Sequence, residues 1–271
     1  MIKLVAVDLD GTLVHDHEIG EEDKEALFRA LDQEIPIVPA TTRLRPSTAR
    51  FFEDISIDRY PLVCNNGARV LDSSWSAPSG CTELSNIKLN RDIAEEIATY
   101  ADERDYNLST VFPEKVYRKK ELEGKSEDPM VIFKSKNIEA LKNGTPVNFM
   151  IHKIENDLDA LDDIENFVLK KFEDDVRIDR HHHGEEYRSL TIYDKSVSKL
   201  NGLELVCDRL GISLEDVLAI GDDEVDREMI ERAGIGIAMG DAPAAVKEVA
   251  ADVGLDCENN GVAWALNKYI F

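Results

Sequence analysis

The chain has 271 residues, enough to bury a large core in one domain or two, and its 43% hydrophobic and 32% charged content is that of a globular protein. Its 55 Asp and Glu against 32 Lys and Arg leave a formal charge of −23. That balance argues against nucleic acid or an anionic membrane as a partner, since either adds phosphate to an already negative surface. A small phosphorylated ligand is still allowed, because a bound cation and a few local bases invert the field inside one cleft. No stretch approaches the roughly 18 apolar residues of a spanning helix, and Met1 leads into a strand without the basic region and apolar core of a signal peptide. Cys64, Cys81, Cys207 and Cys257 are scattered with no CxxC pair, which predicts reduced thiols in a cytoplasmic protein rather than a disulfide framework or a zinc site.

Taken in order, the first 70 residues alternate strand and helix. Strands are predicted at 2–7, 35–40 and 61–64. A helix at 21–31 has Ala26, Leu27, Ala30 and Leu31 on one face, and a second at 46–55 opens on Pro46. Asn65-Asn66-Gly67 then turns the chain. Strands separated by helices imply right-handed parallel crossovers. From about Ser73 to Ser189 the pattern is mixed, with helices at 91–103 and 158–172, strands at 109–112, 130–133, 147–152 and 189–193, and an exposed loop at 119–129. Alternation resumes with a helix at 197–210, a strand at 217–220, a short helix at 228–233, a strand at 235–239 and helices at 242–250 and 262–269. The expected architecture is therefore α/β: a Rossmann-like parallel-sheet core domain, residues 1–75 and 190–271, with an inserted α+β unit at 76–189.

Chemistry concentrates at strand ends. Leu4-Val5-Ala6-Val7-Asp8-Leu9-Asp10-Gly11-Thr12-Leu13 is a buried strand that stops in two carboxylates one residue apart. They stand where open α/β sheets place ligands. Aspartates this close repel unless a cation or a shared proton relieves them, which suggests a site for a hard divalent cation with one aspartate free for chemistry. After the next strand, Pro39-Ala40-Thr41-Thr42-Arg43 brings a hydroxyl able to donate to a phosphate oxygen. Lys199, near the start of a helix, offers an ammonium beside a positive helix end, with Lys195 as its competitor. Ile220-Gly221-Asp222-Asp223-Glu224-Val225-Asp226 sets four carboxylates in five residues after an apolar strand, an arrangement that is costly without a cation. His181-His182-His183, flanking a glycine, reads as a turn in the insertion, with adventitious metal binding or none.

These segments, in this order, resemble the signatures of the haloacid dehalogenase-like hydrolases. Asp8-Leu9-Asp10-Gly11-Thr12 is similar to the first signature, Thr41 to the hydroxyl that ends the second strand, Lys199 to the lysine after the insertion, and Asp222 and Asp226 to the last acidic pair. Thr42 stands where the sugar-phosphatase-like branch has glycine, and Val225 where it has asparagine. A large insertion between the second and third signatures suits that branch, whose cap is an α/β unit. The resemblance implies a Mg2+-dependent phosphatase for a small phosphorylated metabolite. Asp8 is then the nucleophile and Asp10 the general acid and base. Thr41 and Lys199 hold the phosphoryl oxygens, with Leu9, Thr42 and Arg43 at the substrate. Asp8, the Asp10 carbonyl, Asp222 and Asp226 surround the metal. A phosphomutase on the same scaffold and a non-catalytic phosphometabolite-binding protein are the alternative expectations. Neither the identity of the substrate nor the oligomeric state follows from these residues.

Overall fold

The computed structural model describes residues 1–52, 60–73, 82–119, 130–153, 158–183 and 186–271. The chain divides into two compact units: Met1–Ser85 with Ser198–Phe271, and Asn86–Val197.

The first unit begins with β1 (Leu4–Val7), α1 (Glu21–Asp32), β2 (Ile37–Pro39), α2 (Arg45–Phe52) and β3 (Tyr60–Cys64), then β4 (Arg69–Ser73) and β5 (Thr82–Asn86). The second unit holds α3 (Arg91–Glu103), β6 (Leu108–Phe112), β7 (Lys115–Arg118), β8 (Val131–Phe133), α4 (Asn137–Ala140), β9 (Asn148–His152), α5 (Leu158–Phe172), β10 (Val176–His183) and β11 (Glu186–Asp194). The chain returns to the first unit with α6 (Lys199–Leu210), β12 (Val217–Gly221), α7 (Arg227–Arg232), β13 (Ile235–Ala238), α8 (Ala244–Lys247), β14 (Asp252–Val253) and α9 (Gly261–Tyr269).

In the first unit a sheet of order β14-β13-β12-β1-β2 is parallel throughout. A parallel bridge from Ala40 to Val63 sets β3 beside β2, and β3 also leads the three-stranded sheet β3-β4-β5. The apolar run of β1 is buried on both faces because helices cover both. Val5 and Val7 pack with Ala26, Leu27 and Ala30 of α1 and Val262, Ala265 and Leu266 of α9. Leu4 and Ala6 point the other way, to Leu203, Val206 and Cys207 of α6 and Met229 of α7. The period-2 alternation of a strand thus feeds two separate cores.

The second unit has a six-stranded sheet, order β10-β11-β9-β6-β7-β8, antiparallel except for β7 with β8. One face packs on α3 and α5: Leu108, Phe149, Ile151, Leu190 and Ile192 meet Ile93, Ile97, Ala101, Leu161, Ile164 and Val168. Asn90 caps α3, its side chain accepting from the N–H groups of Asp92 and Ile93 at 2.9 and 3.4 Å.

Several expectations are corrected. His181-His182-His183 is not a turn but the end of β10, paired antiparallel with β11 across a register shift, and His181 Nε2 lies 3.0 Å from Thr191 Oγ1. The helix expected at 242–250 is confined to α8, because the chain must peel away for Ala251 N–H to reach Gly236 O at 2.8 Å and start the β14 pairing. Strands β4, β5, β7, β10 and β14 lie outside the strands expected from sequence. Most of the loop expected at 119–129, the end of the helix expected to reach 55, and Cys81 lie outside the described residues. Cys64, Cys207 and Cys257 are buried. No helix among the described residues is long and apolar enough to cross a membrane.

Candidate active site

Four neighbouring strands of the first unit end side by side. The residues just past β12, β1, β2 and β3 are Asp222, Asp8, Thr41 with its neighbours, and Asn65. The connections are stitched together by backbone bonds. Asp8 N–H reaches Ile220 O (3.0 Å), Ala40 N–H reaches Val7 O (2.9 Å), Thr41 N–H reaches Val63 O (2.8 Å), Asn65 N–H reaches Arg43 O (3.0 Å) and Asn66 N–H reaches Thr41 O (2.9 Å).

Lys199 is the hub. Its residue is 1% exposed, and Nζ donates to Asp8 Oδ1 at 2.5 Å and to Asp226 Oδ1 at 2.6 Å. Ser198 caps the helix that carries it, accepting from Asn201 N–H at 3.1 Å. Gly67 adopts φ +95°, and a Cβ there would collide with the Ser198 carbonyl, so only glycine lets the turn after β3 lie against the start of α6. A buried ammonium between two buried carboxylates is stable only because each charge has partners.

Asp226 is fully buried and uses both oxygens. Oδ1 meets Lys199, while Oδ2 accepts the N–H groups of Asp222 and Asp223, each at 3.1 Å. Asp226 therefore shapes the loop that presents Asp222. Thr12 Oγ1 donates to Asp222 Oδ1 at 2.5 Å. Gly11, at φ +87°, leaves room for that carboxylate, which a Cβ would strike.

Each of Asp8, Asp222 and Asp226 presents an oxygen, and these oxygens lie within 4.8 Å of one another. Three carboxylates thus face one ammonium. Burial pushes Asp8 up to about 7, opposed by Lys199 and reinforced by Asp226 and Asp10. Burial, with Asp8 and Asp226 nearby, likewise holds Asp222 well above the usual carboxylate range, against the Thr12 hydrogen bond and Lys199. Burial alone would depress the Lys199 ammonium, but Asp226 and Asp8 keep it above its ordinary value. An all-oxygen cluster with excess negative charge fits a hard divalent cation.

The remaining expected residues lie on the same rim. Thr41 is fully buried, and its Oγ1 accepts from Arg43 N–H at 3.1 Å, which leaves the hydroxyl proton to be donated elsewhere. Thr42 is half-buried in the bend between them. The Leu9 side chain belongs to the core, so only its backbone is available to a ligand. Arg43 pairs with Asp10: Nε donates to Oδ2 at 2.6 Å and Nη2 to Oδ1. Val225 is buried. Lys195, the competitor of Lys199, instead donates to Glu173 O in the second unit at 3.0 Å. Three participants, Thr12, Asn65 and Asn66, are not among the site residues expected from sequence. Thr12 was noted only as part of a signature, although a hydroxyl two residues after Asp10 was the available signal. Asn65 and Asn66 were read as a turn, and their positive φ values of 52° and 58° mark the tight corner that holds Thr41 and Arg43.

A parallel α/β unit with carboxylates and a lysine at its strand tips, interrupted by an α+β insertion, is a Rossmann-like enzyme architecture. The chain belongs to the haloacid dehalogenase-like hydrolases, the family description matching residues 5–266. It is 26% identical over 283 residues to the 5-amino-6-(5-phospho-D-ribitylamino)uracil phosphatase YitU of Bacillus subtilis strain 168, covering 98% of this chain and 97% of that one. The solved structure of TM0651 from Thermotoga maritima matches with a TM-score of 0.83 at 24% identity, over 100% of this chain and 98% of that one. The structure of the HAD subclass IIB sugar phosphatase BT4131 matches at 0.79 with 19% identity, over 98% of each chain. At these identities the two structures carry the fold.

Proposed function

We propose that the chain is a Mg2+-dependent phosphatase acting on a small phosphorylated metabolite, a sugar phosphate or similar monoester, through an aspartyl-phosphate. The observation that carries this is the buried Lys199 bridge to Asp8, set beside the Thr41 hydroxyl at adjacent strand tips. Phosphoryl transfer asks for a held nucleophile and fixed donors around the phosphoryl oxygens, and little else.

Asp8, the Asp10 carbonyl and Asp222 would hold Mg2+, which when bound neutralises charge at the phosphoryl group. Asp226, with both oxygens engaged, orients Asp222 and Lys199. Lys199 keeps an Asp8 oxygen fixed and offsets charge as the phosphoryl group arrives. Asp8 attacks phosphorus and the ester P–O bond breaks, with the Asp10 carboxyl giving its proton to the leaving oxygen. Asp10 then takes a proton from water as that water attacks phosphorus, and the P–O bond to Asp8 breaks to return its carboxylate. Thr41, donating its free proton, and the backbone at Leu9 and Thr42 hold the phosphoryl oxygens. Substrate choice is assigned to the inserted unit. Phosphate release from a panel of phosphorylated metabolites, with Mg2+ and with chelator, tests the proposal. Mg2+-dependent release supports it, and tight binding of these esters without release contradicts it.

A further inference from the structure

The Arg43–Asp10 pair carries a consequence for the reaction. Both nitrogens of one guanidinium edge bond both oxygens of one carboxylate, Nε to Oδ2 at 2.6 Å and Nη2 to Oδ1. A two-point contact fixes the plane of a carboxylate as well as its position. It is also not exhausting, because a carboxylate offers about four lone-pair sites and the fork uses two. One site on each oxygen stays available for a proton. The Asp10 side chain is 48% exposed, so packing alone does not set its torsions.

Arg43 is itself anchored at three points. Its N–H is on Thr41 Oγ1, its carbonyl accepts from Asn65 N–H, and its guanidinium lies over the Phe51 ring, 4.8 Å from the centroid. The fork is therefore rigid with respect to the strand tips that carry Thr41 and Asn65.

We propose that Arg43 is a positioning residue for Asp10 rather than a ligand of the substrate: it holds the Asp10 carboxyl in the orientation from which its proton passes to the leaving oxygen and returns from water. This rests on the phosphatase reading above. Proton and bond changes are those already given, and Arg43 neither gains nor loses a proton.

The test is a double-mutant cycle with Arg43→Met, Asp10→Asn and the pair, plus Arg43→Lys, assayed on an alkyl phosphate with Mg2+. Arg43→Met is expected to lower kcat roughly 10- to 100-fold, part of the ~10²–10⁴ that general acid–base catalysis supplies. KM should stay within about twofold, and in the Asp10→Asn background the same change should cost less than about twofold. Lysine, a point charge, should recover only part of the loss. A KM increase of about tenfold with kcat retained, or an equal cost in both backgrounds, overturns the proposal and makes Arg43 a substrate ligand. A crystal structure of Arg43→Met gives a readout that needs no turnover. Asp10 should leave its place while the backbone bonds from Asn65 N–H to Arg43 O and from Asn66 N–H to Thr41 O persist, and an unmoved Asp10 carboxylate overturns the proposal. Absence of phosphate release by the wild type counts against the phosphatase reading alone, and the crystal structure then decides the role of Arg43.

Discussion

Replacing Asp226 by alanine separates an acid that organises the site from one that merely lines it. The carboxylate is fully buried and engages three donors: the Lys199 ammonium at 2.6 Å and the Asp222 and Asp223 N–H groups at 3.1 Å each. Hydrogen bonds to a charged partner are worth about 1.5–3 kcal/mol each. Removing one member of a buried ion pair costs about 3–5 kcal/mol, because the other charge is left uncompensated. These contributions overlap, since one group makes all of them. Loss of Asp226 also relieves its repulsion of Asp8 and Asp222. A net loss of about 3–5 kcal/mol is expected, a large share of the ~5–15 kcal/mol that holds a domain together. Asp226→Asn keeps an acceptor for the two N–H groups but no charge, so it should cost about 1–3 kcal/mol. The assay is urea unfolding in chelator, followed by tryptophan fluorescence, one of whose two reporters, Trp264, lies on α9 of the same unit. A loss below about 1 kcal/mol for Asp226→Ala would refute the reasoning and leave Asp226 as a simple ligand.

Asp23 provides a pH signature away from the site. Its Oδ1 accepts Ala263 N–H at 2.7 Å, yet burial pushes it up to about 6 from the ordinary 3.8, opposed by that hydrogen bond and reinforced by Glu22. A group raised in the folded state gives stability that is full below pH ~3.8 and lost as pH rises through ~6, here about 3 kcal/mol. Asp23→Asn lacks this titration, so its stability relative to wild type should climb by about that amount between pH ~4 and ~7, and a flat difference in melts across that range counts against it. Asp8, raised to about 7, must lose its proton to bind a cation. Mg2+ affinity should then tighten as pH rises toward 7, by up to about tenfold per pH unit for each raised ligand, Asp8 and Asp222, with proton release seen by calorimetry in buffers of different ionisation enthalpy. Affinity independent of pH over that span would exclude Asp8 as a ligand.

Much of this was legible from residue order. Helix α3 coincides with the helix expected at 91–103, and its buried residues Ile93, Ala94, Ile97, Ala98 and Ala101 recur at helical spacing behind the Asn90 cap. Strand β1 was readable because an apolar run stops at carboxylates. Strand β10 was missed although Val176-Arg177-Ile178-Asp179 alternates, since its charged face and histidine tract look like a solvated turn until β11 pairs with them. The end of α8 depends on a bond to Gly236, which no local pattern reports. At the site, which residue types stand at the strand tips was visible in the sequence. Which atoms meet was not: Lys199 with Asp8 is a contact across 191 positions and Arg43 with Asp10 one across 33, and both were set by folding rather than by neighbours.

The most direct test is Mg2+-dependent p-nitrophenyl phosphate hydrolysis by wild type and Asp8→Asn, with acid quenching to trap phosphoprotein. Wild type should release phosphate and show an acid-stable, hydroxylamine-labile phosphoryl group. Asp8→Asn should do neither while keeping the wild-type circular dichroism spectrum. A folded Asp8→Asn protein retaining more than a few per cent of the wild-type rate would contradict Asp8 as the nucleophile.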